Sequence, residues 1–174
     1  MIIKYPEDKH LLADLKAGDV IKLTGTIYTA RDAAHMRIEQ MLKANEKIPV
    51  DFSDSFIYYA GPTPTKPGNV IGSIGPTTSS RMDKFAYMMN ELGVIGTIGK
   101  GPRDMECTDY YINNKLLYFI TTGGCGALLS KSVKKAEEIA FLDLGPESIK
   151  RLEVEDFTMI CAIDYHGNNI FGGK

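Results

Sequence analysis

A chain of 174 residues and 19.2 kDa, with 44% hydrophobic and 24% charged residues, has the size and composition of one globular domain spanning 1–174. Its net charge of −2 argues against a nucleic-acid surface, and no apolar run approaches the roughly 20 residues of a membrane span. The first residues lack the long apolar core of a secretion signal. Cys107, Cys125 and Cys161 are odd in number and scattered, so they read neither as a disulfide framework nor as a metal-binding loop. The cytoplasm is the expected compartment.

Residues 19–28 alternate as a strand should, after the break at Ala17-Gly18. Thr29-Ala30-Arg31-Asp32 fits a capping box with Thr29 as N-cap, and Ala34, Ile38, Met41 and Leu42 continue at helical spacing to about Asn45. Residues 56–60 read as a strand, 61–68 as a Pro- and Gly-rich loop, and 70–74 as another strand. Ser80-x-x-Asp83 is a second capping box, opening a helix over 81–92. Strand 94–98 leads into Gly99-Lys100-Gly101. A helix over 104–113, a strand over 116–121, a turn at Gly123-Gly124-Cys125-Gly126 and a helix over 127–135 follow. Strands are expected at 138–142, 152–154 and 158–164, and a hairpin turn at 166–169. Strands alternating with helices in the middle imply a mixed α/β sheet with parallel βα units, flanked by antiparallel termini.

Three strand-to-helix junctions carry similar chemistry. The first holds Thr29, Arg31 and His35, the second Thr77, Thr78 and Arg81, and the third Lys100 between two glycines. Parallel strands would bring these ends to one edge of the sheet, where ligands of such folds bind. A helix start offers unpaired N–H groups and partial positive charge, and guanidinium forks match carboxylates, so a small polyanion such as a dicarboxylate fits. Taken singly, each feature has a plainer reading: an arginine near a helix start is usually solvated, Thr and Ser there are caps, and a lone His35 is structural or exposed. Recurrence at equivalent junctions is what points to a ligand. Neither glycine cluster matches a dinucleotide or P-loop fingerprint.

Thr24-Gly25-Thr26-Ile27-Tyr28-Thr29-Ala30-Arg31-Asp32-Ala33-Ala34-His35, Tyr59-Ala60-Gly61-Pro62, the run Gly75 to Asp83, Gly99-Lys100-Gly101, Glu153-Val154-Glu155-Asp156-Phe157 and Asp164-x-His166-Gly167-Asn168 occur in this order. Together, over nearly the whole chain, they resemble the β subunit of iron–sulfur hydro-lyases, the family of class I fumarate hydratase and L(+)-tartrate dehydratase. The resemblance implies a layered β/β/α swivelling domain and a 4Fe–4S cluster held by a partner α subunit rather than by this chain. It also implies an active site between the two subunits, so that this chain is inactive alone. Arg31, Arg81 and Lys100 match the family's substrate-carboxylate ligands, with Thr78 beside them. Thr77 matches the threonine proposed as catalytic base, and His35 a histidine suggested as active in tartrate dehydratase β chains. The implied substrate is fumarate/malate, with tartrate as the alternative, and the assembly is compatible with a dimer of αβ pairs. Two departures stand out: Pro102-Arg103 follows Gly101, and the chain ends soon after Phe171, which is expected to touch only a peripheral extension. A different class of reading, a non-catalytic module binding a small anion, stays open.

Overall fold

Strand β1 (Ile2–Lys4) lies parallel to β2 (Val20–Thr29), reached through a 3-10 turn at Lys9–Asp14. The computed structural model describes residues 1–172. Strands β2, β3 (Ser55–Tyr58), β4 (Val94–Gly99) and β5 (Leu117–Ile120) are successively parallel. The long β7 (Ile149–Ile163) pairs antiparallel with both β5 and β2, so these five strands close into a ring. Strand β6 (Val133–Ala140) adds antiparallel to β7. The antiparallel terminus is therefore C-terminal only. Residues 5–19 form a crossover long enough to return β1 and β2 in the same direction.

Strand periodicity sorts the core. In β3, Phe56 and Tyr58 point into the ring with Ile21, Leu23, Phe119, Leu152 and Phe157. Ile57 and Tyr59 point the other way, against helix α1 (Asp32–Lys43) and the 3-10 turn Ser79–Phe85 with its continuation α2 (Ala86–Glu91). There Ala34, Ile38, Met82, Phe85 and Met89 bury their side chains. Helix α3 (Met105–Asn113), capped by Asp104 through Cys107 N–H, packs Cys107 and Tyr111 against Tyr118 and Ala162. The result is a layered α/β fold.

Several local expectations change. Residues 70–74 form no strand: Ile71 and Ile74 are buried plugs of an irregular loop held by Thr63 N–H to Ser73 O (2.9 Å), Ser73 N–H to Thr63 Oγ1 (3.0 Å) and Ile74 N–H to Gly126 O (3.1 Å). Short apolar runs do not separate strands from anchored loops. Helix α4 (Gly126–Ser132) ends early because β6 begins at Val133. The two expected C-terminal strands are one, β7, bulged at Asp156 (φ 51°), where its register against β2 shifts between Phe157 and Val154. The turn at 166–169 forms as expected: Asp164 accepts from His166 N–H (2.8 Å) and Asn168 N–H (3.0 Å). Hydrogen bonds to that carboxylate hold the Asp164 pKa below its ordinary value although burial pushes it up.

Neither capping box forms. Thr29 is the last residue of β2, fully buried, and its Oγ1 accepts from Lys150 N–H (3.1 Å); Arg31 is the N-cap of α1. Asp83 turns inward to Arg103 instead of capping. Among the described residues no helix is long and apolar enough to cross a membrane.

Candidate active site

Because β2 to β5 are parallel, their C-terminal ends share one edge, and two expected site residues follow those ends, Arg31 after β2 and Lys100 after β4, with Gly61 following β3 between them. The segment from Pro76 to Ser79 inserts between the ends of β3 and β4. Pro76 bridges Ala60, Thr77 N–H donates to Tyr59 O (2.6 Å), Thr78 bridges Lys100, and Ser79 N–H donates to Lys100 O (3.0 Å). This insertion has a steric condition: a Cβ on Gly99 would collide with Ser79. The N–H groups of Thr77 and Ser79 are engaged by strand carbonyls and are not free for an anion. Charge on the edge comes from side chains.

Arg31 and Arg81 meet on a shared carboxylate. Asp32, the first residue of α1, accepts from Arg81 Nε at Oδ1 and lies against Arg81 Nη2 at Oδ2, both at 3.0 Å. Arg31 Nη2 is 3.8 Å from the same Oδ2, and Arg31 Nε is 3.6 Å from Glu147 Oε1. Glu147 arrives from the segment before β7, which Arg37 fixes to α1 by a fork onto Asp143 (2.7 and 2.8 Å). Gly61 makes room for the arrangement: a Cβ there would stand 3.2 Å from Arg31 Nη1 and 3.1 Å from Pro146 O. Arg81 is about half exposed (53%), whereas Arg31 is only 25% exposed.

Lys100 and Thr78 are exposed, and Thr77 is half-buried. Lys100 makes no ion pair among the described residues, and its stem runs toward Gly123 at the end of β5. Cavities of about 700, 660 and 610 Å³ lie elsewhere: beside β1 and the β2–β7 bulge, between the 63–73 loop and α4, and between α2 and α3.

Beneath this edge is a second charged cluster that sequence reading missed. Arg103 pairs with Asp83, both side chains being almost wholly buried (0% and 4% exposed). Its guanidinium lies over the rings of Tyr59, Tyr111 and Tyr118, at 5.4, 4.9 and 5.2 Å. Tyr118 ties the cluster to the edge. Its hydroxyl lies 2.6 Å from Gly101 O, which can only accept, and 2.8 Å from Ser79 Oγ. Tyr118 therefore donates to Gly101 while Ser79 donates to Tyr118.

His35 belongs to this interior layer. It is fully buried, stacked on Phe85 (5.3 Å) and edge-on to Tyr59 (5.7 Å). Burial lowers its pKa to about 4, against a hydrogen bond to Arg31 O (2.7 Å) that favours the charged ring. The ring is neutral at pH 7, with Nδ1–H donating to Arg31 O and Nε2 left without a partner.

The cysteines do not fit an iron–sulfur centre. Cys107 is on α3, Cys161 on β7 and Cys125 in the turn before α4; all are free thiols. Burial pushes the Cys107 and Cys161 thiols up to about 12. Among the described residues no group of three or more His, Cys, Asp or Glu is placed to hold a metal ion.

Residues 2–173 match the family model described as the fumarase C-terminus. The chain belongs to that family, that of class I fumarate hydratases and tartrate dehydratase β subunits. It is 46% identical over 163 residues to a putative L(+)-tartrate dehydratase subunit beta of Methanocaldococcus jannaschii, covering 90% of this chain and 84% of the relative. The L(+)-tartrate dehydratase subunit beta of Escherichia coli is 36% identical over 174 residues, with 97% and 85% covered. The anaerobic class I fumarate hydratase of Escherichia coli is 37% identical over 168 residues, but the chain spans only 31% of its length. Family membership supports a catalytic, hydro-lyase-type protein, and it leaves the substrate undetermined. Lengthwise agreement with separate β subunits favours the tartrate alternative over the fumarate reading that the motifs suggested.

Proposed function

We propose that this chain is the single-domain β subunit, residues 1–174, of a two-subunit iron–sulfur hydro-lyase of the tartrate dehydratase type. It works in the cytoplasm with a cluster-bearing α subunit, in an assembly compatible with a dimer of αβ pairs. The observation that carries this reading is the pairing of Arg31 and Arg81 on one strand edge, beside Thr77 and Lys100, in a chain spanning 84–85% of separate tartrate dehydratase β subunits. The three cysteines here do not fit the 4Fe–4S cluster, so the reading assigns it to the α subunit, and each role below concerns this chain's own residues.

Removing water from a hydroxy-dicarboxylate takes a proton from a carbon next to a carboxylate, so negative charge grows on that carboxylate. Fixed cations aimed at it stabilise the transition state more than the ground state. Arg81 and Arg31 present guanidinium forks for one carboxylate, while exposed Lys100 and Thr78 stand ready for the rest of the substrate. Thr77 is assigned to proton transfer. A neutral hydroxyl is a weak base, so that role needs neighbours supplied when the subunits close. His35 acts through Arg31: its Nδ1–H holds the Arg31 carbonyl and so fixes the start of α1.

Anaerobic co-purification with the cluster-bearing α subunit, followed by assays with L-tartrate, L-malate and fumarate, tests the reading. Turnover of L-tartrate above malate is expected. A preference for fumarate and malate would replace the substrate but keep the reaction class. A complex with an intact cluster and no turnover of any hydroxy-dicarboxylate would overturn the proposal. Calorimetric binding of tartrate or phosphate by the isolated chain, in that case, would favour an anion-binding module.

A further inference from the structure

Asp32 occupies the inner edge of Arg81. Its Oδ1 accepts from Nε at 3.0 Å and its Oδ2 stands 3.0 Å from Nη2 as an ion-pair contact, a side-on approach that leaves Nη1, and with it the outer Nη1–Nη2 edge, without a carboxylate among the described residues. Asp32 is 27% exposed and its Oδ2, the oxygen against Nη2, is buried, so the gripped side of Arg81 is the inner one, while the Arg81 side chain as a whole is 53% exposed. The same carboxylate stands 3.8 Å from Arg31 Nη2, between two cations that would otherwise repel each other. Asp32 is itself well anchored. It lies in the first turn of the 12-residue α1, where the helix favours negative charge, and its backbone follows Arg31, whose carbonyl His35 holds.

Resting on the hydro-lyase reading, we propose that Asp32 is a positioning residue of the substrate-carboxylate site. It fixes the plane of the Arg81 guanidinium by the inner edge and keeps Arg31 alongside, so that the outer edge meets a carboxylate of the incoming substrate. Two carboxylates then share one guanidinium, one from the protein side-on and one from the substrate end-on. The alternative for such a residue is an occupant that the substrate must displace. The two roles have opposite signs: removing a positioner weakens substrate binding, and removing an occupant tightens it.

Asp32→Asn keeps the size and removes the charge and one acceptor; Asp32→Glu keeps the charge but displaces it. In the assembled αβ enzyme, Asp32→Asn is expected to raise KM for the hydroxy-dicarboxylate about tenfold with a smaller change in kcat, a loss fitting one charge-assisted hydrogen bond. Asp32→Glu should recover part of it. An unchanged or lowered KM in Asp32→Asn overturns the proposal. Independently of turnover, the full chain labelled with 15N-arginine reports on Arg81 Nε–H by NMR. A rigid Nε–H in the wild-type chain that becomes mobile in Asp32→Asn is expected, and equal mobility in both overturns the positioning role. If the assembled wild-type enzyme turns over nothing, the hydro-lyase reading fails, while the NMR comparison still decides whether Asp32 aims Arg81.

Discussion

Arg81 and Arg103 are both arginines paired with an aspartate, and they stand in opposite surroundings. Arg81 is half in solvent, gripped along one edge by Asp32, with its other edge open. Arg103 is sealed, its charge met by Asp83 and its faces covered by three tyrosine rings. An ion pair by itself therefore says little about function. An arginine with an open edge on the strand-end rim can receive an anion, whereas one enclosed on every side can only organise the protein around it.

Swapping perturbations between the two layers tests that division. Asp83→Ala strands a buried guanidinium, which typically costs about 3–5 kcal/mol of folding stability. Chemical denaturation should show a loss of that order, with activity falling only because the protein unfolds. Arg81→Ala, at an exposed pair, should change stability by less than about 1 kcal/mol. It should also lower turnover of the assembled enzyme roughly 100-fold or more through lost transition-state stabilisation. If Arg81→Ala unfolds the protein as far as Asp83→Ala does, the rim is structural. If it leaves turnover intact, Arg81 is not a substrate ligand.

The division also explains which parts were readable in advance. Strand β2 announces itself by alternation and β3 to β5 by short apolar runs, and the parallel order puts Arg31 and Lys100 on one edge; Thr77, Thr78 and Arg81 reach it through the inserted segment from Pro76 to Ser79 and not through the strand expected at 70–74. Their mutual contacts were out of reach, because Glu147 and Asp143 come from a distant segment positioned only by the β6–β7 connection. Asp32 and Asp83 were visible, but as the fourth residues of capping boxes. The pattern S/T-x-x-D marks a helix start only when the first residue is outside a strand, and Thr29 is in β2. Asp83 faces Arg103 because the 3-10 geometry of Ser79–Phe85 turns it inward, where an α-helical register had been expected. No spacing rule pairs residues 83 and 103. The doublet Pro102-Arg103 registered only as a departure from relatives, yet Arg103 is the centre of the buried layer.

His35 gives the interior a pH signature. Its pKa is lowered to about 4 in the folded chain by burial, against about 6.5 when unfolded, so the unfolded state binds more protons between those values. Its contribution is complete above pH 6.5 and is lost as pH falls toward 4, about 3 kcal/mol in all. Asp164, whose pKa is depressed, loses its contribution only below the ordinary carboxylate range, whereas burial raises the Asp83 pKa so that its protonation opposes the histidine as pH falls, and comparison with a His35 variant isolates the ring. Denaturation at pH 7 and pH 4.5 should show this fall in the wild-type chain and a much smaller one in His35→Gln. Equal falls in both would mean that the ring is not kept neutral by burial.

Tyr118 sits on the boundary between the layers, so it should give the smallest and most divided effect. Its ring lies under the Arg103 guanidinium, while its hydroxyl holds Gly101 O and receives Ser79, tying down both loops that flank Lys100. Tyr118→Phe keeps the ring and removes only the hydroxyl. Leaving the Gly101 carbonyl and the Ser79 hydroxyl without this partner should cost about 1–2 kcal/mol in chemical denaturation. Because Lys100 and Thr78 then lose a brace while the Asp32–Arg81 pair does not, KM for the dicarboxylate should rise a few-fold with the Arg81 Nε–H still rigid by NMR. A loss of turnover as deep as that of Arg81→Ala would show that the buried layer takes part in the chemistry directly. An effect confined to stability would show that the Lys100 loop is held by its backbone bridges to Thr78 and Ser79 alone.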